Sequence, residues 1–375
     1  MRPLGEPLDA IAKRFGLLQS RDKGLVAALR ELSARYNDDE RARVLTSDPR
    51  LHAARLHFSL VRDRPKASEA LRELVFLGLL PRQGTVRLLD LGAGMGATSL
   101  GTLDALARAG FRGNVHCTLV EPDATALAIA AEVLRALAPP GIGVTVQKSA
   151  RELDDFLAQP ASTFDLIVLG QVLSEHAREH ADRVSVHAAL LERLCAKWLD
   201  LKGSLLVIEP ALRTRARHLQ QVRDVVRAQV FAPCPHVGAC PALRKERDWC
   251  HEDRPIDLPS TLAPLARAAG LRFQGLTFSY LVLRRDGAAL ATTWETPTRL
   301  VSELRRSKGK SDGWFCAAES EGLALVECLD RDAKHSAWRG LCRGDVVSFG
   351  AQVPKRVVAA PAVLVSAAGA APRGE

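Results

Sequence analysis

Three cysteines lie within one short stretch of the chain, and cysteine thiolates are ligands for zinc ions and for iron–sulfur clusters. The stretch, PCPHVGACPALRKERDWCH, covers residues 233–251 and contains Cys234, Cys240 and Cys250. The N-terminal residues include Glu6 and Asp9 and lack the apolar run of a secretory signal, so disulfides are not the first interpretation. We therefore predict a metal or cluster site, for which three thiols need a fourth ligand.

The best candidate for this fourth ligand is Cys316, because KGKSDGWFC is predicted to be a basic, glycine-containing loop rather than a strand. His236 and His251 are alternatives. Zinc sites usually pair their cysteines two to four residues apart, whereas the spacing here is C-x5-C-x9-C. An iron–sulfur cubane accepts thiolates from irregular loops and a distant last ligand. The spacing thus favours a cluster, with zinc and the absence of any metal as alternatives. We expect the remaining four cysteines to be small core residues: Cys117, Cys195, Cys328 and Cys342.

A second group of residues could hold a nucleotide-like cofactor. The segment LLDLGAGMG follows an apolar run and precedes an amphipathic helix. Its glycines let the backbone turn tightly and approach a ligand closely. Glu121 ends the next predicted strand, where a carboxylate can bind both hydroxyls of a ribose. The form G-A-G-M-G resembles motif I of class I S-adenosylmethionine (SAM)-dependent methyltransferases, whereas a dinucleotide site would favour G-x-G-x-x-G. The alternatives are a dinucleotide and a loop that binds nothing. The residues of this site are Asp90, Gly92, Gly94, Gly96 and Glu121.

Catalytic residues are not identifiable from the sequence. The fourth predicted strand is followed by Gln171, Ser174 and Glu175 rather than by the Asn/Asp-Pro-Pro-aromatic motif of amino-methyltransferases. Gln171 and its neighbours would either line the pocket or begin a helix that Ser174 caps. The Pro233-Cys234 step lies too far beyond the fifth strand to supply the cysteine nucleophile of a cytosine C5-methyltransferase.

The elements that position these residues alternate between apolar strands and helices from about residue 85. Near-continuous apolar strands indicate a parallel sheet covered on both faces, hence an α/β fold. We predict a helical region at 1–84, a cofactor-binding domain at 85–285 and a small β-rich module at 286–375 with a frayed tail. A basic helix over 213–230 opens the cysteine-rich insertion at about 212–258, between the fifth and sixth strands. The segment 271–285 is predicted to form two strands.

Charge and composition restrict the partners. The chain has 375 residues, a net charge of +9 and a pI of about 9.4, which favours polyanionic partners, nucleic acid first. Aromatic residues make up only 5%, so we do not expect base stacking on a tyrosine or phenylalanine platform. The sequence has no apolar run of membrane-spanning length, so no membrane association is predicted. A monomer is the expectation.

Taken together, these residues resemble the methyltransferase-like family associated with the small ribosomal subunit, whose mitochondrial members are assembly factors. The resemblance covers about residues 85–316 and rests on LLDLGAGMG, the loop 171–175, the CPH…CP…WCH block, FSYLVLRR and R-x-x-KGK…C. It implies a class I SAM-dependent methyltransferase (Rossmann-like) fold and binding to small-subunit ribosomal RNA during assembly. It also implies SAM contacts from the five residues of the cofactor site and a [4Fe–4S] cluster on Cys234, Cys240, Cys250 and Cys316.

Two functions follow from this resemblance. The first is a small-subunit assembly or translation factor that binds SAM, a cluster and ribosomal RNA. The second is an active SAM-dependent ribosomal RNA methyltransferase with a structural metal site and an unknown target base. A radical SAM enzyme is excluded because C-x3-C-x2-C is missing. Without a clear transit peptide, we expect a bacterial-type member in the cytoplasm.

Overall fold

The structure is a computed structural model that describes residues 5–37, 48–254, 262–271, 275–317, 323–332, 336–350, 353–357 and 361–366. The chain divides into two compact units. The first unit comprises residues 1–178, 197–208 and 255–276, and the second comprises residues 179–196, 209–254 and 277–375.

Helices occupy both units. The α-helices are α1 (Gly5–Arg14), α2 (Gly24–Asn37), α3 (Pro49–Ala54), α4 (Leu60–Ala70), α5 (Arg72–Phe76), α6 (Ala97–Arg108), α7 (Ala124–Leu137), α8 (Leu153–Leu157), α9 (Arg183–Arg193), α10 (Arg213–Val225), α11 (Leu262–Ala269), α12 (Leu290–Thr293) and α13 (Ser336–Arg339). Single π-helical turns cover Arg55–Ser59 and Leu194–Trp198, and 3₁₀ turns cover Arg227–Gln229 and Pro241–Leu243. No helix in the described ranges is both long and apolar enough to cross a membrane.

Strands form the cores of the two units. They are β1 (Gln83–Leu91), β2 (Arg112–Val120), β3 (Ile142–Ser149), β4 (Phe164–Gly170), β5 (Leu199–Glu209), β6 (Val230–Ala232), β7 (Glu252–Arg254), β8 (Leu276–Leu283), β9 (Thr298–Leu300), β10 (Arg305–Ser307), β11 (Lys310–Cys316), β12 (Ala324–Leu329), β13 (Val346–Ser348) and β14 (Ala362–Val365).

The sheet of the first unit is parallel, with the strand order β3-β2-β1-β4-β5. The last four residues of both β1 and β2 are buried, as expected for strands covered on two faces. Leu91 pairs with Val120, so the loops after β1 and β2 leave the sheet side by side. This central β1, with crossovers on either side, confirms the predicted α/β class I methyltransferase fold and places the glycine loop beside Glu121.

The second unit contains antiparallel pairings. The short β6 pairs with β8, and β7 also pairs with β8. A separate six-stranded sheet has the order β10-β11-β9-β13-β14, and β12 pairs with β11. Its core is built around Phe315, whose ring stacks on that of Trp338 with centroids 6.0 Å apart. The structure thereby confirms a β-rich C-terminal module, and helices α1–α5 confirm a helical N-terminal region. The boundaries drawn between regions stay predictions.

Several sequence-based details are wrong. The basic helix ends at Val225, because the three-residue strand β6, too short to show a periodicity, occupies residues 230–232. The cysteine-bearing residues 233–251 therefore lie between β6 and β7. Within 271–285 the structure has the single strand β8, and residues 272–274 lie outside the described ranges. In the tail, residues 362–365 form β14, whereas residues 367–375 also lie outside those ranges.

Two cysteine predictions are also wrong. Cys316 is the last residue of β11 rather than part of a loop, because residues 310–316 alternate between buried and half-buried positions as a sheet strand requires. Cys342 is exposed and is not a core residue, whereas Cys117, Cys195 and Cys328 are buried as predicted.

In the first unit, α4 packs closely on α6 at Gly101. A Cβ added to Gly101 would lie 2.0 Å from the carbonyl oxygen of Arg64 and 3.0 Å from the Cβ of Ala67. Arg64 also donates two hydrogen bonds to Asp104, with donor–acceptor distances of 2.6 and 2.7 Å. Only glycine permits this approach of the two helices.

We expect Gly101→Ala to lower the free energy of unfolding by about 3 kcal/mol, at the upper end of overpacking costs, because the clash is with backbone. Urea unfolding at neutral pH measures the change. Gly24→Ala is the matched control, since its added Cβ meets only Leu18 at 3.4 Å. Equal stability of the two variants would contradict the close packing of α4 on α6.

Candidate functional site

The glycine loop after β1 is shaped by three left-handed residues. Gly92, Gly94 and Gly96 have φ angles of 72°, 51° and 83°. A Cβ on Gly92 would approach Val172 to 2.5 Å. The amides of Gly92 and Ala93 donate to the carbonyl oxygen of Val120 at 2.9 and 3.0 Å, so the loop is anchored on the end of β2. The sequence prediction of a tight, ligand-approachable turn thus corresponds to a well-defined backbone cradle.

Asp90 lies beneath this cradle and is completely buried. Its Oδ2 accepts hydrogen bonds from the amide of Ser99 (3.2 Å) and the Ser99 hydroxyl (2.6 Å). Its Oδ1 is buried without a hydrogen-bond partner among the described residues. Burial raises the pKa of Asp90 to about 7, against which the two Ser99 bonds act only partly.

Glu121 is in direct contact with the glycine loop. Its Oε2 accepts from the Gly94 amide at 2.8 Å, and burial raises its pKa. Asp123 caps α7, accepts from the Thr125 and Ala126 amides at 3.0 Å, and lies 2.7 Å from Nε2 of His52. The predicted acidic residue is therefore brought to the loop by the pairing of β1 with β2.

Arg55, from the N-terminal helical region, places a cation at the same point. Its Nη1 lies 3.7 Å from Asp123 Oδ2, and its Nη2 would lie 3.0 Å from a Cβ on Gly94. Burial acts against the charge of Arg55, but nearby acidic groups, first the phenol of Tyr36 and then Glu121 and Asp123, raise its pKa above the ordinary value. The glycine loop is thus flanked by carboxylates and by a guanidinium.

Gln171 follows β4 and has a positive φ of 63°. Its amide donates to the Ile208 carbonyl at 2.7 Å, and its Nε2 donates to Asp63 of α4 at 3.1 Å. The Ser174 hydroxyl donates to the Gln171 carbonyl at 3.2 Å, within a series of turns rather than at a helix start. The loop therefore contacts the cradle with the side chain of Val172, which lies against Gly92, while the Gln171 side chain contacts α4.

The four predicted ligand cysteines meet in the second unit. Cys234, Cys240, Cys250 and Cys316 line one cavity of about 50 Å³, together with His236 and His251; we refer to it as the thiol cavity. All four cysteines are free thiols. Burial raises the pKa of Cys240 to about 12 and also raises the pKa of Cys250 and of Cys316, with the neighbouring cysteines adding to the effect. Without a bound cation the thiols of Cys240, Cys250 and Cys316 are neutral.

The loop that carries three of these cysteines is held by one face of α10. Arg217 donates to four loop carbonyls, those of Ala242 (3.2 Å), Leu243 (3.4 Å), Lys245 (2.9 Å) and Asp248 (2.6 Å). Gln220 donates to the Cys250 carbonyl at 3.0 Å. Because most of the loop has no sheet or helix partner, these bonds satisfy its backbone.

Arg223 and Asp224 extend this face to the first part of the loop. Arg223 is 1% exposed and donates to the carbonyls of Gly238 and His236. Asp224 accepts from the Cys240 amide at 3.0 and 3.1 Å. Burial opposes the charge of Arg223, but Cys234, Asp224 and Cys240 raise its pKa. Arg217 and Arg223 belong to the predicted basic helix, and both side chains hold the loop.

The two histidines of the thiol cavity have different partners. Nε2 of His236 lies 3.3 Å from Sγ of Cys316. Nε2 of His251 accepts from Arg343 at 2.7 Å, so its lone pair is already used. Burial, then Arg223 for His236 and Arg343 for His251, lowers both pKa values to about 4. The lone pair of His251 Nε2 is thus used by Arg343, whereas Cys316 lines the thiol cavity together with the other three cysteines.

Several of these residues have no signal in the sequence. Arg55 lies far upstream of motif I, so no spacing rule connects it with Glu121. The structural role of α10 could have been inferred only in part, from the polar residues Arg217, Gln220 and Asp224 at helical intervals.

Within the described ranges, no set of three or more histidine, cysteine, aspartate or glutamate side chains is arranged to hold a metal ion.

Comparison with known protein families assigns the chain to one of them. The model of a family described as mitochondrial small ribosomal subunit Rsm22 matches residues 80–326, about two thirds of the sequence. The chain belongs to the Rsm22 family. The match includes the glycine loop and the whole thiol cavity, and it confirms the resemblance to the small-subunit methyltransferase-like family. No curated protein matches this Rsm22-family chain.

Solved structures similar to the Rsm22-family protein are distant. The precorrin-6y C5,15-methyltransferase of Geobacter metallireducens is 13% identical, with 56% of this chain and 87% of that chain covered and a TM-score of 0.30. An uncharacterised protein from Burkholderia thailandensis is 15% identical, with 77% and 96% covered and a TM-score of 0.37. Loganic acid methyltransferase with SAH is 10% identical, with 64% and 98% covered and a TM-score of 0.36.

The buried Asp90 of the Rsm22-family protein makes its stability depend on pH. A pKa of about 7 in the folded chain, against 3.8 ordinarily, means that the folded state keeps a proton that the unfolded state releases. The contribution of Asp90 is therefore fully present below about pH 4 and is lost as the pH rises to about 7. Because asparagine does not titrate, the free energy of unfolding of the wild type relative to Asp90→Asn should fall by about 1.4 kcal/mol per pH unit between about pH 5 and pH 7. Urea unfolding at several pH values measures it, and a constant difference would contradict the neutral carboxyl.

Proposed function

We propose that this protein is a small ribosomal subunit assembly or translation factor that uses a methyltransferase fold to bind SAM, a [4Fe–4S] cluster and ribosomal RNA. The observation that carries the proposal is the meeting of Cys234, Cys240, Cys250 and Cys316 at one cavity, although Cys316 is distant in the sequence. Membership of a family named for the small ribosomal subunit supports the proposed partner.

The thiol cavity fits a cluster in chemistry and in charge. A cubane binds each thiolate through a different iron, which suits four sulfurs placed around a space rather than around one point. A cluster with four thiolates is net negative, and the buried guanidinium of Arg223 lies next to Cys234 and Cys240. His236 is placed to donate a hydrogen bond to the Cys316 sulfur, the kind of contact that tunes a cluster. Zinc is the alternative occupant.

The cradle after β1 fits SAM. Glu121 is positioned to accept from ribose hydroxyls, and the left-handed glycines let the ligand approach the backbone. The Arg55 guanidinium beside Gly94 can pair with a ligand carboxylate, which SAM carries and a nicotinamide dinucleotide does not. Asp90, Gly92 and Gly96 shape the cradle from below, and Gln171 lies next to it.

The exposed positive charge of the second unit suits binding to ribosomal RNA. Exposed cations lie on and after α10, and the chain as a whole carries a net charge of +9. They are Arg213, Arg227, Arg244, Lys245 and Arg247. In the proposed division of the chain, the module at 286–375 takes part in this function by supplying Cys316 to the insertion at 212–258.

Methyl transfer is not part of the proposal. The loop where a catalytic motif would lie is bonded internally, with Ser174 donating to Gln171 and Gln171 donating to Asp63. An active ribosomal RNA methyltransferase is retained as the competing outcome of the SAM experiment.

We expect anaerobically purified protein to contain about four irons and four sulfides per chain, with a broad absorption band near ~400 nm. Cys240→Ser should remove most of the iron and the band, because one of four ligands is lost. Cys342→Ser is the matched control, since this thiol is exposed and lies outside the thiol cavity. One zinc per chain without iron would overturn the cluster and make the site a structural zinc site.

We expect Glu121→Gln to weaken SAM binding about 10-fold or more in calorimetry, because a carboxylate that accepts from two hydroxyls makes charge-assisted hydrogen bonds. Glu132→Gln is the control, as that carboxylate pairs with Arg14 on the surface. In cells, Glu121→Gln should impair small-subunit maturation while the ribosomal RNA modification profile stays unchanged. Loss of one methylated nucleotide would instead establish the methyltransferase function.

A further inference from the structure

Trp249 presents an aromatic surface in a basic loop. Its side chain is 36% exposed, whereas Trp198 and Trp338 are buried. The indole stacks on the ring of His251, with centroids 5.4 Å apart and planes inclined by 14°. Its Nε1 donates to the Ala211 carbonyl at 3.2 Å. A tryptophan stacked on one partner and partly exposed is a surface on which another flat group can be placed.

This surface is held rigidly. His251 is fixed by the hydrogen bond from Arg343, and the carbonyl of Cys250 accepts from Gln220 (3.0 Å) and Ser279 (3.3 Å). Arg217 holds the loop carbonyls on both sides of residue 246. The indole position is therefore set before any partner arrives, which lowers the entropy cost of binding.

Cations lie close to Trp249 along the chain and at the start of α10. Arg213 is one helical turn before Arg217, on the same face of α10, and Ala211, two residues before Arg213, accepts the hydrogen bond from Trp249. Arg244 and Lys245 are exposed, and among the described residues neither they nor Arg213 has an acidic partner. Arg247 is 83% exposed with Asp248 at 3.9 Å, and Glu246 is the exposed acid of the same loop. The surface combines a flat apolar ring with unpaired positive charge.

We propose that Trp249 is a stacking platform for a base of single-stranded RNA, with Arg213, Arg244 and Lys245 contacting the neighbouring phosphates. A base in a duplex is covered on both faces, so only an unpaired nucleotide can stack here. Stacking does not select among bases, because every base has a π-face. This inference rests on the proposed ribosomal RNA binding and names the residues that perform it. The low aromatic content argues against a tyrosine or phenylalanine platform, and the platform proposed here is a single tryptophan.

The platform is tested by fluorescence titration. The anaerobically purified full-length protein is titrated with an unlabelled single-stranded RNA of about 12 nucleotides. Binding should quench the tryptophan emission, and Trp249→Phe should remove most of that quenching while keeping a ring. Trp249→Ala should weaken binding about 5- to 150-fold, the range for one stacked base. The slope of log Kd against log salt should stay unchanged in both variants, because no phosphate contact is lost.

Arg244→Gln with Lys245→Gln should instead reduce the magnitude of that slope by about 1.4, at about 0.7 per phosphate contact for single strands. Leu201→Ala, an exposed apolar truncation on the first unit, is the control that should bind as the wild type does. The visible absorption spectrum of each variant shows whether the thiol cavity is intact. If Trp249→Ala lacks the absorption band of the wild type, Trp249→Phe is used to test the platform instead.

The outcomes separate this inference from the proposed function. Wild-type affinity in Trp249→Ala, or quenching that persists in Trp249→Phe, overturns the platform while leaving RNA binding in place. Equal affinity, per nucleotide, for a long RNA duplex also overturns it, because all base faces except those at the two ends are covered. Failure of the wild type to bind single-stranded RNA, together with failure to bind isolated small-subunit ribosomal RNA, overturns both.

Discussion

The cysteine-bearing loop depends on α10. Residues 233–251 contain only one short 3₁₀ turn, and an irregular backbone of this length must find partners for its carbonyls and amides outside regular structure. Arg217, Gln220, Arg223 and Asp224 provide them from one face of the helix. Removing such a donor leaves buried carbonyls unsatisfied, which costs more than the bond itself contributes. The geometry of the thiols therefore follows from a helix that contributes no ligand.

The pairing of β1 with β2 sets the other site in a comparable way. Parallel strands bring their carboxyl ends to one edge, so the glycine loop and Glu121 meet although 25 residues separate Gly96 from Glu121. Arg55 then supplies a cation from outside the sheet. The carboxylates near the cradle repel one another, and the guanidinium of Arg55, which stays charged in proteins, offsets that repulsion.

How much the sequence revealed depends on the range of the interaction. The glycine loop, Glu121 and the alternation of strands and helices are local patterns, and the structure has them where they were expected. Strand β6 has three residues and leaves no periodicity, so it was taken for the end of a helix. Cys316 was placed in a loop because its basic, glycine-containing surroundings outweighed the weak alternation of β11. Arg55 and Arg223 act through contacts distant in sequence, which no local pattern encodes, and Arg223 in particular resembled a surface cation.

The same helix links the two properties proposed for the second unit. Arg217 holds the loop by carbonyls that lie between the cysteines, so the position of the backbone there does not depend on the thiols themselves. Filling the thiol cavity with a cluster would convert neutral thiols to thiolates beside Arg223, which changes the local charge more than the path of the loop. Trp249 precedes Cys250 directly, and its ring rests on His251, which lines the cavity. An occupant of the cavity would thus act on the proposed RNA-binding surface through electrostatics at short range, while α10 holds the backbone of the loop in place.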